Sequence, residues 1–294
     1  MQKKNFANFN KDTVKILVCC HKQCALPFDP DEIFLPIQVG AAISDTNLGV
    51  QRDDQLNGQP CDNISEKNKS YCELTAMYWA WKNIKKIYPD LEYIGLNHYR
   101  RYFDFGTKKN VRIVYQKNDF IEKINTKKLF SLLDTNEWIL PKRRIVRGTL
   151  KTDYCEEHYS EDYRLAKQTI SELYPEYTNA FDEYFSRGKK LYHYNMFIMP
   201  VADFFAYCQW LFDVLGYVEQ RSIYSHYNDY QQRIFGFLAE RLFTVYACRE
   251  AKRIKEVPII FLNDSIEKKY EKDGFINKLL YLKSRLMEHL NKKH

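Results

Sequence analysis

The stretch Leu91-Glu92-Tyr93-Ile94-Gly95-Leu96-Asn97-His98-Tyr99-Arg100-Arg101-Tyr102 decides the fold. Leu91 to Leu96 is a short, mostly apolar run, the pattern of a strand buried on both faces. It passes without a break into a polar, doubly basic segment. In open α/β sheets, ligands bind just beyond the carboxyl ends of the strands. Asn97, His98, Arg100 and Arg101 therefore read as ligand-facing. Two forked, permanently charged guanidinium groups suit a diphosphate. His98 adds a donor that titrates near neutrality. In the competing reading Arg100 and Arg101 alternate along an extending strand, one of them paired to a carboxylate.

The flanking sequence extends this pattern. Val14 to Cys20 is a second buried strand, and Ile33 to Val39 a weaker one because of Pro36. Residues 44–69 are polar and read as a long loop. Ser70 and Glu73 then have capping-box spacing. Leu74, Met77, Tyr78, Trp81, Ile84 and Tyr88 follow at helical steps until Pro89. Helices are predicted over 120–133, 160–174, 178–187, 203–221 and 231–247, and strands over 138–140, 194–199 and 254–261. Strands alternating with helices predict an α/β fold with a mainly parallel sheet flanked by helices. One catalytic domain is expected over 1–262. Residues 263–294 are expected to form a basic amphipathic helix, which either lies on an anionic membrane or packs on the domain or a second subunit.

Composition narrows the class. The chain has 294 residues, 45% hydrophobic and 28% charged, the balance of an ordinary core-forming protein. A net charge of +7 favours anionic partners. No apolar run is long enough to cross a bilayer. The first residues lack an apolar signal region, so a cytoplasmic location is expected, with the eight cysteines reduced.

Other clusters are candidates for binding and catalysis. Asp62, Asn63, Ser65 and Asn68 precede a helix N-terminus, which favours anions and polar ligands. Trp79 lies off the apolar face and reads as a sugar- or base-stacking ring, whereas Tyr78 and Trp81 read as core. Asn195 heads an apolar strand and either presents its amide to a ligand or closes a turn. Glu240 and Arg241 interrupt an apolar segment, which is costly unless they are paired or lie at a site. Glu240 is the preferred general base, with Asp229 behind it; a structural ion pair to an arginine competes. Asp53-Asp54 is a weak metal candidate. No dinucleotide fingerprint, P-loop, nucleophile elbow or zincin motif is present.

Taken together, VCCHK, PIQVGAA, DNISEKNKSYCELTAMYWAWKN, LNHYRRYF, NMFIMP, YCQWLF and GFLAERLF resemble the bacterial domain-of-unknown-function family 4422, over about Lys15 to Val257. That resemblance implies a GT-A-like glycosyltransferase of capsule, O-antigen or exopolysaccharide synthesis, galactofuranosyltransferases among them. It implies a nucleotide-sugar donor, UDP-linked, an oligosaccharide or lipid-linked acceptor, an inverting reaction and work at the inner face of the plasma membrane. GT-A enzymes place an Asp-x-Asp metal motif at the end of a central strand; here Asn97-His98-Tyr99-Arg100 stands there. A hard cation needs oxygen ligands that this stretch lacks. Arg100, Arg101 and His98 are therefore expected to neutralise the diphosphate with no required metal or other cofactor. Asn97, Asp62, Asn63, Ser65, Asn68 and Trp79 are the remaining donor-side candidates, Asn195 the acceptor-side one, and Glu240 and Asp229 the bases. Two other classes compete. One is a nucleic-acid module using the basic stretches 82–117 and 142–151, although no recognised motif supports it and nucleic acid is not expected. The other is a noncatalytic sugar-binding protein.

Overall fold

Ten strands form one sheet: β1 (Val14–Cys20), β2 (Phe34–Gln38), β3 (Gln51–Arg52), β4 (Tyr93–His98), β5 (Arg101–Phe103), β6 (Val111–Val114), β7 (Trp138–Pro141), β8 (Phe197–Pro200), β9 (Ile254–Val257) and β10 (Ile259–Leu262). The computed structural model describes residues 9–23, 29, 31–106, 111–114, 125–135, 137–251 and 253–262. The basic helix expected over 263–294, and the start of the one expected over 120–133, lie outside them.

The sheet order is β9-β7-β8-β4-β1-β2-β3. Every residue of β1 is buried, as a central strand covered on both faces requires. It pairs in parallel with β2 and β4. β8 runs antiparallel to both β4 and β7, so the sheet is mostly, not wholly, parallel. Beyond the carboxyl end of β4 the chain turns at Tyr99-Arg100 and doubles back as β5, placing Arg101 opposite His98. The basic segment is thus a hairpin rather than an extending strand. β10 pairs with β5 and β6.

Six helices matter here: α1 (Leu74–Ile87), α2 (Thr126–Thr135), α3 (Leu150–Glu157), α4 (Ser160–Leu173), α5 (Val201–Glu219) and α6 (Ile234–Glu250). Ile94 and Leu96 point into the larger core, shared with α1 and α3 to α6. Tyr93 points into a smaller core beneath α2. Between them Gly95 has no side chain for a reason: a Cβ there would stand 2.7 Å from Ile198 Cγ1 and 2.8 Å from the Phe197 carbonyl.

Several local expectations change. The strand expected over 254–261 breaks at Pro258, which cannot donate to a ladder, and its halves pair with different neighbours. The long loop carries β3 and a small ribbon of Gln55–Leu56 against Gln59–Pro60. α3 has no clear apolar period and so gives no helical signal in sequence; Thr149 caps it, accepting from Thr152 N at 3.1 Å. No capping box forms at Ser70. A short helix ends at Tyr71, Cys72 turns with φ 52° and ψ −130°, and α1 starts after Glu73. The seven described cysteines are free thiols. Among the described residues no helix is long and apolar enough to cross a membrane.

Candidate functional site

The carboxyl ends of β1 and β4 carry a cationic rim. Buried Tyr99 is its platform. The His21 ring meets Tyr99 edge-on at 5.0 Å, and Arg100 and Lys22 stand over the Tyr99 ring at 4.9 and 5.8 Å. Arg233, just ahead of α6, completes the group: its charge acts on both His21 and His98. His21, Lys22, Arg100 and Arg233 are all exposed. Partial desolvation of the ring against Tyr99, reinforced by the charges of Lys22, Arg100 and Arg233, pulls the His21 pKa below the ordinary histidine range. The three permanent cations dominate the rim.

Beside the rim lies a strained turn. Tyr194 and Asn195 have φ of 69° and 50°, a left-handed conformation that costs of order 1 kcal/mol or more for such residues. Three groups hold it. Glu240 Oε1 accepts from Tyr194 N at 2.9 Å. Asn195 Nδ2 donates to Glu73 Oε1 at 2.8 Å. The Tyr194 carbonyl accepts from His98 Nε2 at 2.7 Å, which places the ring proton on Nε2, since a carbonyl can only accept. Cys72, the third residue with positive φ in this neighbourhood, precedes Glu73 and receives Arg233 Nε at 3.3 Å from its Sγ. Backbone strain of this kind concentrates where function over-determines the geometry.

Electrostatics assign protonation states. Burial pulls His98 below the ordinary histidine range, with Glu73 opposing, so the ring is neutral near pH 7. Burial pushes the Glu240 carboxyl up; Arg241 opposes this and Glu73 reinforces it. Burial and the Glu73 charge push the Cys72 thiol up to about 11, which makes it a poor nucleophile. Arg241 is itself buried and spent on Asp153 at 2.8 Å, with Glu240 Oε2 at 3.4 Å.

The structure thus brings His98, Asn195 and Glu240 together and sets Arg100 on the adjoining rim. The other expected residues fall elsewhere or do other work. Arg101 lies between the Tyr194 and Phe261 rings, at 4.4 and 4.8 Å, and braces the turn. Asn97, one position along β4 from His98, faces the opposite side of the sheet, is 1% exposed and has an Oδ1 with no partner. Asn195 is also 1% exposed; its Nδ2 serves the Glu73 clasp. Asp229 is exposed in the turn before α6. Asp62 accepts from Tyr78 at 3.1 Å, Asn63 closes its own turn onto Ser65 N, and Asn68 bonds Cys72 O at 2.7 Å. Ser65 is buried and donates to Asp53, which also holds Gly40 N at 2.8 Å and Ala41 N at 3.0 Å. Asp54 is paired with Arg52, so the adjacent acids clasp the loop. Trp79 is fully buried, its Nε1 donating to Gln55 O at 2.8 Å, because the Gln55–Pro60 ribbon covers that side of α1. Tyr78 and Trp81, expected in the core, are only half-buried. Among the described residues no three His, Cys, Asp or Glu side chains are grouped to hold a metal ion.

Sequence reasoning missed Glu73, read as a cap, and also His21, Lys22, Cys72, Tyr194 and Arg233. One signal existed: asparagine tolerates positive φ, so Tyr194-Asn195 ahead of an apolar run marks a turn as readily as a strand start.

The fold and site define an α/β protein that gathers exposed cations and half-buried carboxylates at the carboxyl end of its central strands. The family model for DUF4422, a domain of unknown function, matches residues 15–251, and the chain belongs to that family. None of the curated proteins matches it. Among solved structures, the apo form of the bifunctional glycosyltransferase WbbM is similar, with a TM-score of 0.74 and 29% identity, covering 88% of this chain and 48% of that one. The chain therefore spans about half the length of that relative.

Proposed function

We propose that the protein is a glycosyltransferase that moves a hexosyl group, galactofuranose being the leading candidate, from a UDP-linked donor to a growing surface polysaccharide. The observation that carries this reading is the cationic rim of Lys22, Arg100 and Arg233 beside the clasped Tyr194-Asn195 turn. The shared fold and 29% identity with a bifunctional glycosyltransferase support it. The acceptor hydroxyl attacks the anomeric carbon and gives up its proton. The anomeric C–O bond breaks, and its electron pair leaves with the diphosphate. In a single displacement of this kind the configuration inverts.

The rim meets the charge that develops on the leaving diphosphate, and stabilising that charge is the largest rate effect such a site can supply. No divalent metal is required in this reading, because guanidinium and ammonium groups fill that role. His98, neutral and bonded to Tyr194, positions the turn instead of meeting the diphosphate with its own charge. Glu240, with its raised pKa and partly open Oε2 side, takes the hydroxyl proton. A lipid-linked acceptor would place the reaction at the cytoplasmic face of the membrane.

The test is a thermal-shift panel of UDP and UDP-hexoses followed by a transfer assay, each with and without EDTA. UDP should raise the melting temperature, and EDTA should not cancel the rise. A chain that no uridine nucleotide stabilises, or that binds one only with manganese, would overturn the corresponding part of the reading.

A further inference from the structure

Arg144–Ile145 and Lys190–Leu191 form a short antiparallel ribbon outside the main sheet, with Ile145 opposite Lys190 and Arg144 opposite Leu191. Its two faces differ. Leu191 is buried, and the charge of Arg144 acts on Glu240. On the outer face Ile145 is 71% exposed, the most exposed large apolar side chain among the described residues. Burying it would have cost nothing in charge, yet it stands in water.

Cations surround this apolar tip. Backbone bonds from Val146 N to Lys189 O and from Leu150 N to Gly188 O hold residues 146–150 against 188–189. Lys142, Arg147, Lys151, Arg187, Lys189 and Lys190 are all exposed around the ribbon. Neither 142–151 nor 187–190 contains an acidic residue. Arg143 is compensated by Glu256 at 2.7 Å. A single apolar side chain projecting from a collar of lysines and arginines matches the interface of an anionic bilayer, with apolar boundary within and phosphates around it.

We propose that this ribbon is the surface by which the protein lies on an anionic lipid bilayer. Ile145 enters the headgroup–acyl boundary, and the six cations face lipid phosphates. The inner face of the same ribbon leads through Tyr192 and His193 into the Tyr194-Asn195 turn. The membrane contact therefore adjoins the candidate site. Only this adjacency rests on the proposed sugar transfer; bilayer binding is measured with no donor present.

The experiment is vesicle co-sedimentation of the full chain. One set of vesicles mixes phosphatidylglycerol with phosphatidylcholine; the other is phosphatidylcholine alone. The protein should bind the mixed vesicles, and salt should weaken binding. Reversing Lys189 and Lys190 together (K189E/K190E) should weaken binding about tenfold or more. Ile145→Ser should weaken it as well, and Ile145→Trp, which keeps an apolar tip, should bind at least as tightly as the parent. Reversing Lys127 and Lys128 on α2, beneath the other face of the sheet, is the charge-matched control and should change little. The proposal is overturned if the parent ignores the mixed vesicles. It is equally overturned if the ribbon variants bind like the parent or lose no more than the control. Retention on random oligonucleotides without vesicle binding would make the collar a nucleic-acid surface and also overturn it.

Discussion

Arg100 is exposed at the turn after β4, with the Tyr99 ring beneath it, whereas Arg101 is held between Tyr194 and Phe261. The two should fail differently. Arg100→Ala removes a rim charge and should lower kcat/KM for the donor at least about tenfold, with stability within about 0.5 kcal/mol of the parent. Arg101→Ala loses two cation–π contacts and should cost about 1–2 kcal/mol in urea unfolding. Equal losses of stability in both would leave Arg100 a purely structural residue. Glu240 can be tested without disturbing its backbone bond, because Glu240→Gln keeps an oxygen for Tyr194 N. Transfer should fall about a hundredfold or more. The folded pKa of Glu240 is raised, so the fold favours its protonated form. That contribution is present below the unfolded carboxyl pKa and is lost as pH rises through the folded one. The acid limb of the parent's rate profile should lie above the ordinary carboxylate range, and the glutamine variant should lose this limb.

At the level of elements, the packing of β8 against β4 depends on Gly95. Gly95→Ala would drive a Cβ against Ile198 and the Phe197 backbone and should destabilise the protein by about 2 kcal/mol, measured by urea unfolding. A second prediction concerns α4. Asp162 accepts from Tyr227 at 2.9 Å and Tyr154 at 3.4 Å, and burial pushes its pKa to about 6. The raised value means that stability from this carboxyl is full below about 3.8 and is lost as pH rises towards about 6. Asp162→Asn should flatten the melting temperature across that window. The elements themselves were legible where burial follows period: the buried run of β1, the span of α1 with its buried Leu74, Met77 and Ile84, and the start of α4 all appear as expected. What escaped was set by contacts distant in sequence. Glu73 has the spacing of a cap, but Asn195, far along the chain, takes its carboxylate. Trp79 lies off the apolar stripe of α1 and is buried because a polar ribbon folds over it. No local pattern encodes either pairing. The basic turn after β4 was legible as a candidate site because a strand end and two arginines coincide in sequence. Lys22 and Arg233 join it only through the sheet order and the entry to α6.

Across the whole molecule, the proposed function assigns binding to one part of the site and reaction to another. The rim hangs on the ends of β1 and β4 and the entry to α6; the carboxylates come from the start of α1 and the middle of α6. Nucleotide binding should therefore be separable from turnover. A ligand that binds only the folded state at about a hundred times its Kd stabilises it by about 2.7 kcal/mol. In a chain of this size that corresponds to a rise in Tm of roughly 4 °C. The Glu240→Gln protein should keep this UDP-induced rise in full while losing transfer, because its rim is intact. Arg100→Ala combined with Arg233→Ala should show the reverse at the binding step: a near-parental Tm without ligand and a UDP-induced rise that is mostly gone. With rim charges doing the binding, the parent's rise should also shrink as salt increases, since exposed charges are screened. If Glu240→Gln loses the rise as completely as the double arginine variant does, the carboxylate belongs to the nucleotide pocket. The proton would then need a different acceptor, and Asp229, exposed in the turn before α6, would be the next to substitute.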